Sequence, residues 1–208
     1  MKKWKKVVAA AAAVLAVVAS TAVFAGCSGG AAAVADVYSA NPSSEGTAMY
    51  VTTPMQMIVS NVEEITVYED NTYSFSVSTT VITNLKAVTE GNDQVINRGV
   101  TELVYHGSYT SEEDSGMTIL TLAEPTRITV ANTDSLFTAG LPVGYMDTES
   151  WETSEGLNTW WTALGNTGDC TAEAFLEKMA FDETTVVVSE TGMFDYIEYS
   201  LHNILLGW

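Results

Sequence analysis

The chain has 208 residues, of which 26 are acidic and eight basic, for a net charge of −18. That balance excludes nucleic acid as a partner, because phosphate binding needs clustered Lys and Arg, and it disfavours adhesion of the folded surface to anionic lipid. Two cysteines do not make a disulfide scaffold.

The charge is unevenly distributed. Lys2, Lys3, Lys5 and Lys6 crowd the first six positions, and residues 7–25 are uncharged and dominated by small apolar types. A basic region, an apolar run and small residues before a cut site make a secretory signal over residues 1–26. Ala25-Gly26-Cys27 resembles the lipobox of bacterial lipoproteins, with Phe24 at the position usually held by Leu. The resemblance implies that Cys27 is diacylated, for example with palmitate, and becomes the mature N-terminus. It places the domain on the extracytoplasmic face of the cell membrane, held by lipid. An uncleaved membrane anchor is the alternative, since the apolar run is long enough to cross a ~30 Å hydrocarbon core.

Cleavage before Cys27 leaves 182 residues, enough for one domain with a substantial core. It leaves four basic residues (Lys86, Arg98, Arg127, Lys178) against all 26 acids, a charge near −22. Residues 27–45 are small and polar, without lasting periodicity, and read as a flexible linker; about 18 such residues span roughly 20–25 Å. The folded domain is expected over 46–208.

Within it, the odd positions over 49–59 alternate as Met49, Val51, Thr53, Met55, Met57 and Val59, which predicts a strand with one buried face. Pro54 points to an edge or a bulge. Ile65 and Val67 alternate before Glu69-Asp70-Asn71-Thr72. Tyr73, Phe75, Val77, Thr79 and Val81 then alternate against Ser74, Ser76 and Ser78, so a tight hairpin is expected. Residues 101–110, 119–122 and 127–131 read as further strands, with an acidic turn at 111–116 and a break at Glu124-Pro125. Residues 132–168 read as a long loop with a helical turn near 157–164.

Thr171 opens a predicted helix over 171–180, with Glu173 near its positive end, Lys178 near its negative end and Phe175 and Met179 on one face. Strands at 184–189 and 193–201 around Glu190-Thr191-Gly192 complete the chain. The fold class is all-β: a single antiparallel barrel or sandwich with one short helix. The strand count and late helix resemble a lipocalin-like (calycin-type) barrel. Asp70-Asn71-Thr72-Tyr73 and Gly107-Ser108-Tyr109 are similar to the Asp-Gly-Thr-Tyr and Gly-x-Tyr turns of bacterial lipoproteins of that kind, with Asn71 in place of the glycine.

No catalytic constellation stands out. His106 and His202 are the only histidines, and no Gly-x-Ser-x-Gly elbow is present. Two histidines and one spare thiol do not make a zinc site, and no cofactor is implied. Glu112–Asp114, or Asp147 and Glu149 with Glu152, are candidates for weak divalent cation binding. Cys170 has no Lys, Arg or His within seven residues to favour a thiolate and reads as a buried, inert thiol. Tyr145, Trp151, Trp160 and Trp161 are the candidate ligand-binding group, because aromatic faces stack on sugars and apolar ligands; the alternative is that they plug the barrel as core.

The expected function is a lipid-anchored extracytoplasmic binding protein without catalytic activity, its ligand a small molecule, a glycan or an envelope protein. A structural or assembly lipoprotein and a hydrolase with an unfamiliar site are the alternatives.

Overall fold

The computed structural model describes residues 32–40, 47–52, 55–86, 93–135, 138, 140–195 and 197. Among these, ten strands form one sheet: β1 (Val34–Ala40), β2 (Thr47–Thr52), β3 (Met55–Tyr68), β4 (Thr72–Lys86), β5 (Asp93–Asp114), β6 (Met117–Leu122), β7 (Arg127–Asn132), β8 (Gly144–Asp147), β9 (Thr184–Val188) and β10 (Met193–Phe194). Two helices, α1 (Glu155–Ala163) and α2 (Ala172–Met179), lie between β8 and β9.

Seven strands close into a barrel in the order β3-β1-β10-β9-β6-β5-β4, returning to β3. Every pair is antiparallel except the last one needed for closure, where β1 and β10 run parallel through Ser39↔Met193 and Ala40↔Phe194. β1 and β2 follow one another along the same edge of β3, and β6 and β7 do the same along β5. Between β6 and β7 the chain passes Glu124-Pro125, since proline has no N–H to give a ladder. Alignment survives the break because Ala123 N–H donates to Ser108 O and Thr126 N–H donates to His106 O.

The alternation read from the sequence places the core. Ile65 and Val67 of β3, Tyr73, Phe75 and Val77 of β4, and Leu103 and Tyr105 of β5 are buried. Leu120, Leu122, Ile128, Val130, Val186, Val188 and Phe194 complete the inner wall. Phe181 fills the space between them, its ring centroid 5.3 Å from that of Tyr105 and 6.0 Å from that of Phe75. Each such side chain contributes roughly 1.5–3 kcal/mol on burial. The interior of the barrel is packed with side chains.

Above this core the inner face changes character. Asn61, Thr79, Thr101 and Asn132 are register partners on four adjacent strands, and all are buried. Thr79 Oγ1 donates to Asn61 Oδ1 at 2.8 Å and Thr101 Oγ1 donates to Asn132 Oδ1 at 2.9 Å. This polar belt marks where the four-stranded extension of β2, β3, β4 and β5 begins.

The β3–β4 turn forms as its residues predict. Asn71 takes φ 61°, the left-handed region that Asn tolerates, and Thr72 N–H donates to Asp70 Oδ1. The 171–180 helix is α2, and Thr171 caps it by accepting the Ala174 N–H. No helix among the described residues is long and apolar enough to cross a membrane.

Several expectations are corrected. Residues 34–40, assigned to the linker of 27–45, form β1 and close the barrel; Ala32 and Ala33 lead into it without regular structure, and 27–31 and 41–45 lie outside the described residues. Val34, Ala35, Asp36 and Val37 are all exposed, so one-sided burial is confined to the second half of β1, where Tyr38 and Ala40 pack against the core. The single strand of 49–59 is instead two, β2 and the start of β3, paired through Thr52↔Met55 across residues 53–54, which lie outside the described residues. β5 runs through to Asp114, so the turn expected over 111–116 shrinks to Ser115-Gly116. The helical turn near 157–164 is the nine-residue α1, which Ser154 caps by accepting the Leu157 N–H. The last hairpin is present as β9 and β10; of its expected continuation to residue 201, residues 196 and 198–201 lie outside the described residues.

Candidate functional site

The aromatic group is divided by the fold. Trp160 and Trp161 stand on the buried side of α1, and Leu157, one turn before, joins them there. Their ring centroids are 6.1 Å apart, and Trp160 lies 6.2 Å from Phe175 of α2. Trp151 packs on Phe175 at 4.7 Å and donates its Nε1–H to Cys170 O at 2.8 Å. These three indoles join α1, α2 and the segment between β8 and α1 to one another. Tyr145 lies elsewhere, on β8, and is 57 % exposed. A shallow open groove along α1 is lined by Thr153, Ser154, Glu155, Asn158, Thr159 and Thr162, and none of the four aromatic residues lines it.

Cys170 is fully buried, and burial pushes its thiol up to about 11, as expected of an inert cysteine.

His106 projects from β5 beside Arg127, its register partner on β7. Burial, followed by the Arg127 charge, lowers its imidazole to about 4, with Asp147 opposing. Among the described residues its buried Nε2 finds no hydrogen-bond partner. Arg127 forks onto Asp147, with Nε donating to Oδ1 at 3.0 Å and Nη2 to Oδ2, and Nη1 lies 3.4 Å from Glu149. Burial raises the Asp147 carboxyl, but the Arg127 and Glu149 N–H bonds outweigh it and hold the group below its ordinary range. Asp147 is thereby committed to Arg127 and to the turn that follows β8. Among the described residues no three His, Cys, Asp or Glu side chains gather to hold a metal ion. His202 lies outside the described residues.

Sequence reasoning missed Glu63. Its place in the β3 alternation, between Asn61 and Ile65, was the available signal. It is fully buried; Oε2 accepts the Ile197 N–H at 2.8 Å, and Oε1 finds no partner among the described residues. Burial pushes this carboxyl up to about 8, against the pull of the Ile197 N–H. The bond ties the chain just past β10 to the inner face of β3.

Among the described residues, one further accessible feature is an edge. β1 pairs with β3 from Val34 to Ser39, but on its other side the pairing described is with β10 at Ser39 and Ala40. Val34 and Val37 are about half exposed there, at 54 % and 50 %. Comparison with protein-family models, curated proteins and solved structures finds no match to this chain.

Proposed function

We propose that this chain is a lipid-anchored extracytoplasmic protein without catalytic activity, which acts by contact between its outer surface and another envelope protein. The observation that carries this reading is the packed interior: Phe75, Tyr105, Phe181 and Phe194 occupy the volume in which a barrel would hold a small ligand. The burial of Trp160 and Trp161 supports it further, since those rings offer no face to a sugar. The anchor rests on Lys2 to Cys27, and the lipid on Cys27 would keep a domain of such negative charge near an anionic surface that repels it.

Two measurements test the reading. Cys27→Ser should release the domain from membranes or leave an unprocessed precursor; a processed domain that stays membrane-bound would rule out the lipid anchor. Titration of the protein with a fatty acid, a retinoid and short glycans should leave its tryptophan emission unchanged. Saturable quenching by one of them, at a stoichiometry of one, would return the function to small-molecule binding.

A further inference from the structure

The geometry points to the free edge of β1, from Val34 to Tyr38, as a docking site for an extended, positively charged polypeptide segment that adds to the sheet as a strand. This deepens the surface-contact reading above and rests on it.

The backbone supplies the first part of the argument. Ser39 N–H donates to Gly192 O, on the side of β1 away from β3. The two-residue period of a strand puts the Val37 N–H and C=O on that same side. β10 reaches only Ser39 and Ala40, so among the described residues the edge below them has no strand beside it. An exposed edge is a template for pairing. Here Val34 and Val37 stand exposed beside it, together with Met193 of β10 at 42 %. An added strand would gain main-chain hydrogen bonds along β1 and apolar contact with these side chains.

Charge selects the occupant. Asp36 lies on β1 itself and Glu113 on β5; both act electrostatically on Tyr38. Asp114 and Glu190 follow at the neighbouring turns, Glu190 close to Gly116. Among the described residues with described side chains the basic ones are Arg127, committed to Asp147 and Glu149, and Lys178 on α2. A second copy of the chain would bring the same negative charge, and an anionic membrane would be repelled. The chain's own segments 28–31 and 198–208 contain no Lys or Arg. A partner segment alternating apolar and basic residues matches both the edge and its rim.

The test uses the full chain in a nonionic detergent and a fluorescent acetylated peptide of alternating Lys and Val, eight residues long, followed by anisotropy. Saturable binding that weakens as salt rises is expected, with about tenfold or greater loss when alternate peptide amides are N-methylated. Val37→Pro removes the free-edge N–H and should weaken binding by at least about tenfold. Asp36→Lys leaves the backbone intact and should act in the same direction, which keeps the test valid where the proline variant fails to fold. Equal binding of an alternating Glu-Val peptide, indifference to N-methylation, or no binding at ~1 mM would overturn the proposal. So would dimerisation of the chain through this edge or its capture by anionic vesicles. Because the readout does not depend on the lipid, failure of the anchor and failure of this site are distinguishable.

Discussion

Tyr73 and Gly107 are register partners across β4 and β5, and a Cβ on Gly107 would lie 2.7 Å from Tyr73 Cε1. The ring lies over the glycine, and its hydroxyl donates to Ala123 O at 2.8 Å. One residue further on each strand, Thr72 pairs with Ser108, and Tyr109 N–H donates to Asn71 O. The two short stretches singled out in the sequence, Asp70-Asn71-Thr72-Tyr73 and Gly107-Ser108-Tyr109, are thus one structural unit. It sets the β4–β5 register and, through Ala123, the point where β6 gives way to β7.

Gly107→Ala should therefore destabilise the barrel by about 1–3 kcal/mol, because the new methyl drives the Tyr73 ring from its place. Urea unfolding measures it. Tyr73→Phe keeps the ring and removes the bond to Ala123, and should cost about 0.5–1.5 kcal/mol. An alanine at 107 that leaves stability unchanged would show that the ring moves without penalty.

Glu63 makes stability depend on pH. Its carboxyl ionises near 4.5 when unfolded and near 8 in the fold, so the folded state holds the proton more tightly. The stability it contributes is complete below about pH 4.5 and falls as pH rises, until it is lost near 8. The full change is on the order of 5 kcal/mol. Glu63→Gln should flatten the thermal-melting profile between those values and leave the variant more stable than the parent at pH 8. An unchanged profile would mean that another group carries the dependence.

His106 acts in the opposite direction. Its imidazole stays neutral in the fold down to about pH 4, whereas an unfolded histidine takes its proton near 6.5. Its contribution is present above about 6.5 and is lost as the pH falls toward 4. Imidazole NMR resonances should show no titration of His106 between pH 7 and 5. A midpoint near 6.5 would contradict the buried environment beside Arg127.

The aromatic residues should separate in their effects. Trp160→Ala opens a cavity between α1 and α2 and should cost about 3–5 kcal/mol, while Tyr145→Ala, on the exposed face of β8, should cost under about 1 kcal/mol. Chemical denaturation of the two variants compares them directly.

Alternation in the sequence was sufficient for the strands that bury one face. The Tyr73, Phe75, Val77 series against Ser74, Ser76 and Ser78 predicts β4 and its inner face together, because side chains on a strand repeat every two residues. The Asp70-Asn71 turn, the Thr171 cap and the Phe175–Met179 face were legible for the same reason: each depends on residues a few positions apart. The negative charge of the domain was likewise complete in the composition.

Tertiary structure alone decided the rest. β1 is mostly exposed and sets only Tyr38 and Ala40 against the core, yet its backbone pairing with β3 and β10 closes the barrel. Trp160 and Trp161 could have lined a mouth or filled a core, and the packing of α1 against α2 placed them in the core. Glu63 reads as one acid among many until Ile197, 134 residues away, meets it inside the barrel. The polar belt required four strands in one register. Local sequence sets which face of an element is apolar; which elements meet, and which charged group is thereby cut off from water, is set by contacts between residues far apart in the chain.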